Sequence, residues 1–402
     1  MKTPTDCWER RTFHLELIRS IPAGMIETAT TTFAVYVAVS TFQAGAMHKG
    51  LLVASASIGL FLSMFWVQWI RRTGCSLNTG ASAVWVLSAL GFFFASASRD
   101  CLPIYLVGMI VGKVAVVMAA PLFSHIYREH YPAEKLGQLF AVAGLVRKLA
   151  AIGTGLLFGW ILERNGENFP LLLICYGSGC LVMAGCTNAM KGVYLAKVSK
   201  VEFFAAFRHV KHDILFRKLL IAWMILGFGN VLCVSLFVEY AANPIHGFEL
   251  GAAQVSWLTA ITPEVTYLLT VFLWGRLFDR LNFFLVRSVI NVFFVAGILT
   301  FFFGTSVWLL YVGLGLHGIG KAGGNVAWSL WVTKFADSEN VAEYMSVHTF
   351  LTGCRGTIAP LLAFQMASFS PRFVSIVGSL LIILATFLIY SLKPLGDKED
   401  RG

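Results

Sequence analysis

Twelve apolar stretches punctuate the chain, centred near residues 30, 60, 88, 114, 150, 180, 230, 264, 295, 320, 355 and 382. Each runs to roughly 20 residues, the length of helix needed to cross about 30 Å of hydrocarbon at 1.5 Å per residue. Inside a bilayer no water can satisfy backbone N–H and C=O groups, so such stretches fold as helices. Composition agrees: 57% of the 402 residues are hydrophobic, 13% are charged, and the mean hydropathy is +0.74. A soluble core of this size does not need that much apolar sequence. The chain therefore reads as an all-α integral membrane protein with twelve transmembrane helices.

Basic residues set the expected orientation. With the N-terminus inside, 22 of the 31 Lys and Arg fall on inner loops and flanks, and four fall on outer loops: Lys49, Arg99, Arg164 and Arg372. This is a positive-inside pattern, which predicts a multi-pass protein of the inner (cytoplasmic) membrane with both termini cytoplasmic. It also accounts for most of the net charge of +10 without a nucleic-acid partner, because the cations are spread over loops. The first twenty residues lack a cleavable signal pattern, so the first span is expected to serve as an uncleaved anchor. The eight Cys are scattered and imply no disulfide framework.

The two halves resemble one another. Gly112-Lys113 is followed 34 residues after the Lys by Arg147, and Gly320-Lys321 by Arg355 at the same spacing. Both members of the second pair lie 208 positions after the first, and Trp66/Trp274 and Arg72/Arg280 keep that offset. The expected organisation is an N-terminal six-helix bundle at 1–190, a cytoplasmic amphipathic linker at 191–218, and a C-terminal six-helix bundle at 219–402. In the linker, Val201, Phe204, Phe207, Val210 and Ile214 recur at spacings of three and four among cations, as in a helix lying on an anionic lipid surface.

After the eighth stretch the sequence reads Gly275-Arg276-Leu277-Phe278-Asp279-Arg280-Leu281-Asn282. It resembles the Gly-x-Leu-x-Asp-Arg-x-Gly loop of the major facilitator superfamily, with Asn282 in place of the final Gly. The first-half copy, Ile70-Arg71-Arg72-Thr73-Gly74, keeps Arg72 and Gly74 but has Arg71 where the family has Asp. The resemblance covers essentially the whole chain. It implies two pseudo-symmetric six-helix bundles working by alternating access, with Asp279, Arg280 and Arg72 as conformational gating residues. The Gly-Pro-rich motif of the family's drug–proton antiporters has no match in Gly153-Thr154-Gly155-Leu156-Leu157-Phe158-Gly159.

Charge inside a bilayer is costly, so ionisable residues deep in the stretches are candidates for function. They are Glu27, Lys113, Arg147, Lys148, Glu264, Lys321 and Arg355, and none falls on spans three, six, nine or twelve. In the resembled fold those four spans stand outside the cavity. Trp257, Glu264 and Tyr267 share a face at spacings of seven and three, and His317, Lys321 and Asn325 recur every four residues. Five cations against two carboxylates leave an excess of positive charge for an anionic solute. Lys113, Arg147, Lys321, Arg355, Asn325, Trp257 and Tyr267 are the expected substrate-binding residues. Glu264, with Glu27 as accessory, is the expected proton carrier; its plainer role is that of counter-ion to Lys321 or Arg355.

Gly315-Leu316-His317-Gly318-Ile319-Gly320-Lys321-Ala322 nearly spells a phosphate-binding loop, but it ends in Ala and lies inside an apolar stretch. No nucleophile, acid–base pair or metal-ligand spacing points to an enzyme, and no cofactor is expected. The sequence thus predicts a monomeric secondary active transporter of a small polar, anionic solute, coupled to protons and in contact with lipids. The alternatives are a proton symporter of a neutral solute such as a sugar or nucleoside, and a non-transporting sensor or scaffold.

Overall fold

A computed structural model describes residues 4–195, 207–334 and 341–392. Twelve long helices occupy the twelve expected stretches, and no strand occurs among the described residues. In the first half, α1 runs over Pro4–Thr28 and continues through a π-turn at Ala29–Phe33 into Ala34–Ser40. It is followed by α2 (Ala46–Thr73), α3 (Leu77–Ser96), α4 (Leu102–His130), α5 (Ala133–Arg164) and α6 (Phe169–Asn188). The second half holds α7 (Ile214–Ala242), α8 (Ala252–Arg280), α9 (Phe283–Phe303), α10 (Val307–Leu330), α11 (Val341–Ala367) and α12 (Pro371–Ser391).

Among the described residues, nine of these helices are long and apolar enough to cross a membrane. The other three are α1, α10 and α11, and the reason is local. They carry Glu16 and Glu27, the His317–Lys321–Asn325 stripe, and His348 with Arg355, and these polar groups lower the apolarity of the run.

Helix ends follow the side chains that can satisfy orphan backbone groups. Ser76 caps α3 by accepting from Thr79 N–H, Asp213 caps α7 through Phe216 N–H, and Ser370 caps α12 through Phe373 N–H. Pro103, Pro170 and Pro371 stand in first turns, where a missing N–H costs nothing. The two family-like loops close differently. Gly74 ends α2 in the left-handed region at φ 71°, where Gly carries no Cβ penalty. Asn282 sits at φ −58° and caps α9 through Phe284 N–H, so nothing at that position requires Gly.

The contacts divide the chain into two units: Met1–Val201 with Leu250–Ala260, and Glu202–Glu249 with Ile261–Gly402. In the first unit the packed pairs are α1–α5, α1–α6, α2–α4, α3–α4 and α3–α6. In the second they are α7–α11, α7–α12, α8–α10, α9–α10 and α9–α12, the same five pairs advanced by six helices. The duplication seen as a sequence offset is thus also a duplication of packing.

One departure from a division at the linker is the first part of α8, which belongs to the first unit. Ser256 Oγ donates to Gly155 O of α5 at 2.7 Å, and Ala253 N–H donates to the Glu163 carboxylate at 3.0 Å. A carboxylate at a helix N-terminus is favoured by the dipole, so Glu163 caps α8. Of the linker helix expected over 201–214, residues 201–206 lie outside the described residues; beyond them it is not continuous, because Asp213 is extended and Ile214 already begins α7. Its described end is a short turn at Arg208–His212, where Arg208 and His209 donate to Glu343 of α11 at 3.1 and 2.6 Å.

Candidate functional site

In the first unit, α1 and α5 approach closely because of Gly24, where a Cβ would meet the carbonyl oxygen of Arg147 at 2.1 Å. Thr28 adds a hydrogen bond from its hydroxyl to Ala151 O at 2.9 Å. Glu27, between these two, therefore faces the cations of α5. It accepts from Arg147 Nε at 2.8 Å and from Lys148 Nζ at 2.5 Å. Half of the Arg147 side chain (51%) is left uncovered by protein, so this cluster lies at an open face of the unit. Lys113 is elsewhere: it is 2% exposed and donates to Leu52 O of α2 at 2.5 Å.

In the second unit, α8 and α10 meet at Gly318, where a Cβ would lie 2.1 Å from Thr266 Oγ1 and 2.7 Å from Pro263 O. One turn further along α10, Lys321 Nζ donates to Glu264 Oε1 at 2.6 Å. The carboxylate is buried and a third of the lysine side chain is open. His317, one turn before Lys321, is buried and its Nε2 lies 3.2 Å from Asn230 Oδ1. Arg355 behaves like Lys113: its Nη1 donates to Trp223 O of α7 at 2.6 Å.

Both carboxylates stand beside a π-turn. Glu27 precedes the one at Ala29–Phe33, and Glu264 follows the one at Trp257–Ile261. Such turns insert one extra residue into a helix and occur often at functional sites. The two turns touch through the hydroxyls of Thr32 and Thr259, 3.1 Å apart. The insertion also corrects the stripe expected on α8. Seven residues return to the same face only in an uninterrupted α-helix, and the π-turn intervenes between Trp257 and Glu264. Trp257 is accordingly 49% exposed while Glu264 is buried. Tyr267 is half-buried and Asn325 is exposed.

Residues 219–402 match the model of the Major Facilitator Superfamily. Over this stretch, a little under half of its length, the chain resembles that superfamily. Its fold is similar over nearly the whole length to solved structures of transporters. A mutant form of the nucleoside transporter NupG superposes with a TM-score of 0.78 at 12% identity, covering 95% of this chain and 99% of that one. XylE, the xylose transporter from E. coli in a partially occluded inward-open conformation, gives 0.66 at 15% identity, with coverage of 96% and 98%. A POT family transporter in complex with 5-aminolevulinic acid gives 0.73 at 13% identity and 96% coverage of both chains. Comparison with curated protein sequences gives no match.

In the two loops that resemble the superfamily's, Arg72, Asp279 and Arg280 are exposed and form no ion pair or hydrogen bond among the described residues. Three cations that the sequence reading placed on loops or flanks are largely covered by protein. Lys49, read as an outer-loop residue, is 7% exposed. Arg19 looked like an inner flank; its Nε donates to Glu16 Oε2 at 2.7 Å and its Nη2 to the Tyr127 hydroxyl at 2.7 Å, and it lies 4.1 Å over the Phe123 ring. Arg287, also placed in a flank, is 1% exposed near the start of α9, so a cation enclosed by protein occurs on that helix. The signal for Arg287 was its setting: a single cation after Phe283-Phe284-Leu285-Val286. Glu163 and both π-turns have no compositional signature at all.

Proposed function

We propose that this multi-pass membrane protein is a secondary active transporter of a small polar, anionic solute, coupled to protons through Glu264. The observation that carries the reading is the Lys321–Glu264 ion pair, 2.6 Å long, a third open on the lysine side and set beside a π-turn and Pro263. Breaking a buried pair is costly unless each partner finds a substitute. A solute carboxylate that takes Lys321 leaves Glu264 to take a proton, and a proton on Glu264 frees Lys321 for the solute. The exchange links one anion to one proton without leaving a buried charge uncompensated. Asn325 and Tyr267, on the same two helices, supply polar contacts for the rest of the solute.

In this reading Glu27, Arg147 and Lys148 form an accessory charge cluster in the first unit. Lys113 and Arg355 are fixed cations held by helix carbonyls. Asp279, Arg280 and Arg72 bias the conformational equilibrium of alternating access. The linker at 191–218 ties the bundles of 1–190 and 219–402, the termini are cytoplasmic at an inner membrane, and the protein works as a monomer among lipids.

A second reading, symport of a neutral solute, is supported by the exposed Asn325, whose amide suits a sugar ring or a nucleobase. Similar folds include a nucleoside transporter and a D-xylose–proton symporter. Proteoliposomes offered labelled glucuronate, uridine or xylose under an imposed pH gradient separate the two. We expect gradient-driven accumulation of glucuronate that Glu264→Gln abolishes. Undiminished accumulation in Glu264→Gln removes the coupling role; accumulation of uridine or xylose in place of glucuronate moves the protein to the second reading.

A further inference from the structure

Four helices of the second unit meet around a basic cluster that the deep-charge stripes did not single out. Arg287 of α9 places its guanidinium 4.3 Å from the centre of the Trp223 ring on α7. The carbonyl of the same Trp223 accepts from Arg355 of α11. Gly227, one turn along α7, makes that possible, because a Cβ there would stand 1.9 Å from Arg355 Nη1. His348 of α11 is fully buried, with the rings of Trp223, Trp328 and Trp331 at 5.4, 5.6 and 5.3 Å.

Most buried polar atoms left over here can donate; the acceptor among them is Asn291 Oδ1, one turn along α9 from Arg287. Trp331 Nε1–H donates to His348 Nδ1 at 3.2 Å, which puts the proton of the neutral imidazole on Nε2. That Nε2, Nε and Nη1 of Arg287, Nε of Arg355, Nε1 of Trp223 and the Thr352 hydroxyl have no hydrogen-bond partner among the described residues. Nearby carboxylates among the described residues are committed. Asp213 accepts from Phe216 N–H and from the Tyr344 hydroxyl, and Glu343 accepts from Arg208 and His209. Arginine does not shed its proton, so two guanidiniums with no carboxylate partner among the described residues make a setting that a bound anion would complete.

We propose that Arg287, Arg355 and His348 hold a small monovalent inorganic anion of the halide type as a resident counter-ion. A spherical ion suits the cluster, since the donors come from three helices and the walls are indole rings. The site is independent of Glu264 and of the transported solute. Its role is to let α7, α9 and α11 pack around two like charges.

The purified full chain in detergent tests this directly, with sodium bromide titrated against sodium isethionate at constant ionic strength. We expect a saturable rise of several degrees in melting temperature, lost in Arg287→Gln and in His348→Phe. The second variant keeps an aromatic ring in place and carries the test if the first fails to fold. A flat titration of the unmodified chain overturns the proposal, as does a rise retained in the variants. Anomalous diffraction from a bromide-soaked crystal supports it with a peak beside Arg287 and overturns it with a peak only elsewhere or none. No solute or gradient enters these measurements, so their failure leaves the transport reading standing on its own test.

Discussion

Glu27 and Glu264 answer the same repeat in opposite ways. Each half offers a lysine on its fourth helix and an arginine on its fifth, 34 residues apart. In the first unit the carboxylate goes to the arginine, with Lys148 beside it, and Lys113 is left to a backbone carbonyl. In the second the carboxylate goes to the lysine, and Arg355 is left to a backbone carbonyl. The offset that relates the halves maps Glu264 onto Ala56 and Glu27 onto Ser235. Duplication thus preserved the places of the cations but not those of the acids. Burial differs as well: Glu264 is enclosed, whereas Arg147 stands half uncovered. The enclosed pair is the one whose breakage has consequences.

The largest effect should come from breaking that pair on one side only. Lys321→Met leaves a buried carboxylate behind and should destabilise the second unit by about 3–5 kcal/mol. Adding Glu264→Gln should restore most of the loss in a thermal melt. Equal melting temperatures for the single and double variants would mean the pair is not energetically coupled. Lys113→Met makes the sharp contrast, since it removes a buried ammonium with no acid to strand. Its melting temperature should stay level or rise, and a fall comparable to that of Lys321→Met would erase the distinction between the halves.

A middle-sized effect separates the two arginines. Gly227→Ala must displace Arg355 from the Trp223 carbonyl, at a cost of about 1–3 kcal/mol from overpacking. Gly153→Ala on α5 meets nothing within 4 Å and should stabilise its helix by about 0.5–1 kcal/mol. Opposite shifts in melting temperature are expected, and shifts of the same sign would contradict the packing described. The smallest effect concerns the loops. Gly74→Ala forces a side chain into the left-handed region for about 1–2 kcal/mol, while Asn282→Gly should change stability by only a few tenths. Denaturation of the two variants side by side would show whether the loops close by different means.

Segment length and apolarity made the twelve helices readable before any coordinates, because crossing a bilayer leaves little freedom in either. The ionisable residues within the apolar stretches were readable for the same reason, and Lys321 with Glu264 was among the pairings they allowed. What could not be read was which acid meets which cation. That depends on where helices touch, as at Gly24 and Gly318, and touching is a property of two distant segments at once. Arg287 was misplaced because five residues after a loop looks like a flank, whereas a long side chain can turn back toward the bundle. The Glu16–Arg19–Tyr127 network joins residues more than a hundred positions apart.

A helix with one residue in excess has a property that an ordinary helix lacks. The surplus at Trp257–Ile261 need not stay where it is. It can be handed along the backbone like a wrinkle along a carpet, with only a few bonds exchanged at each step. Every residue it passes advances by one place, a turn of about 100° about the axis. Passing over Glu264 would swing the carboxylate away from Lys321 while both ends of α8 kept their positions. Pro263, which has no N–H to give up, sits where such a step would have to cross.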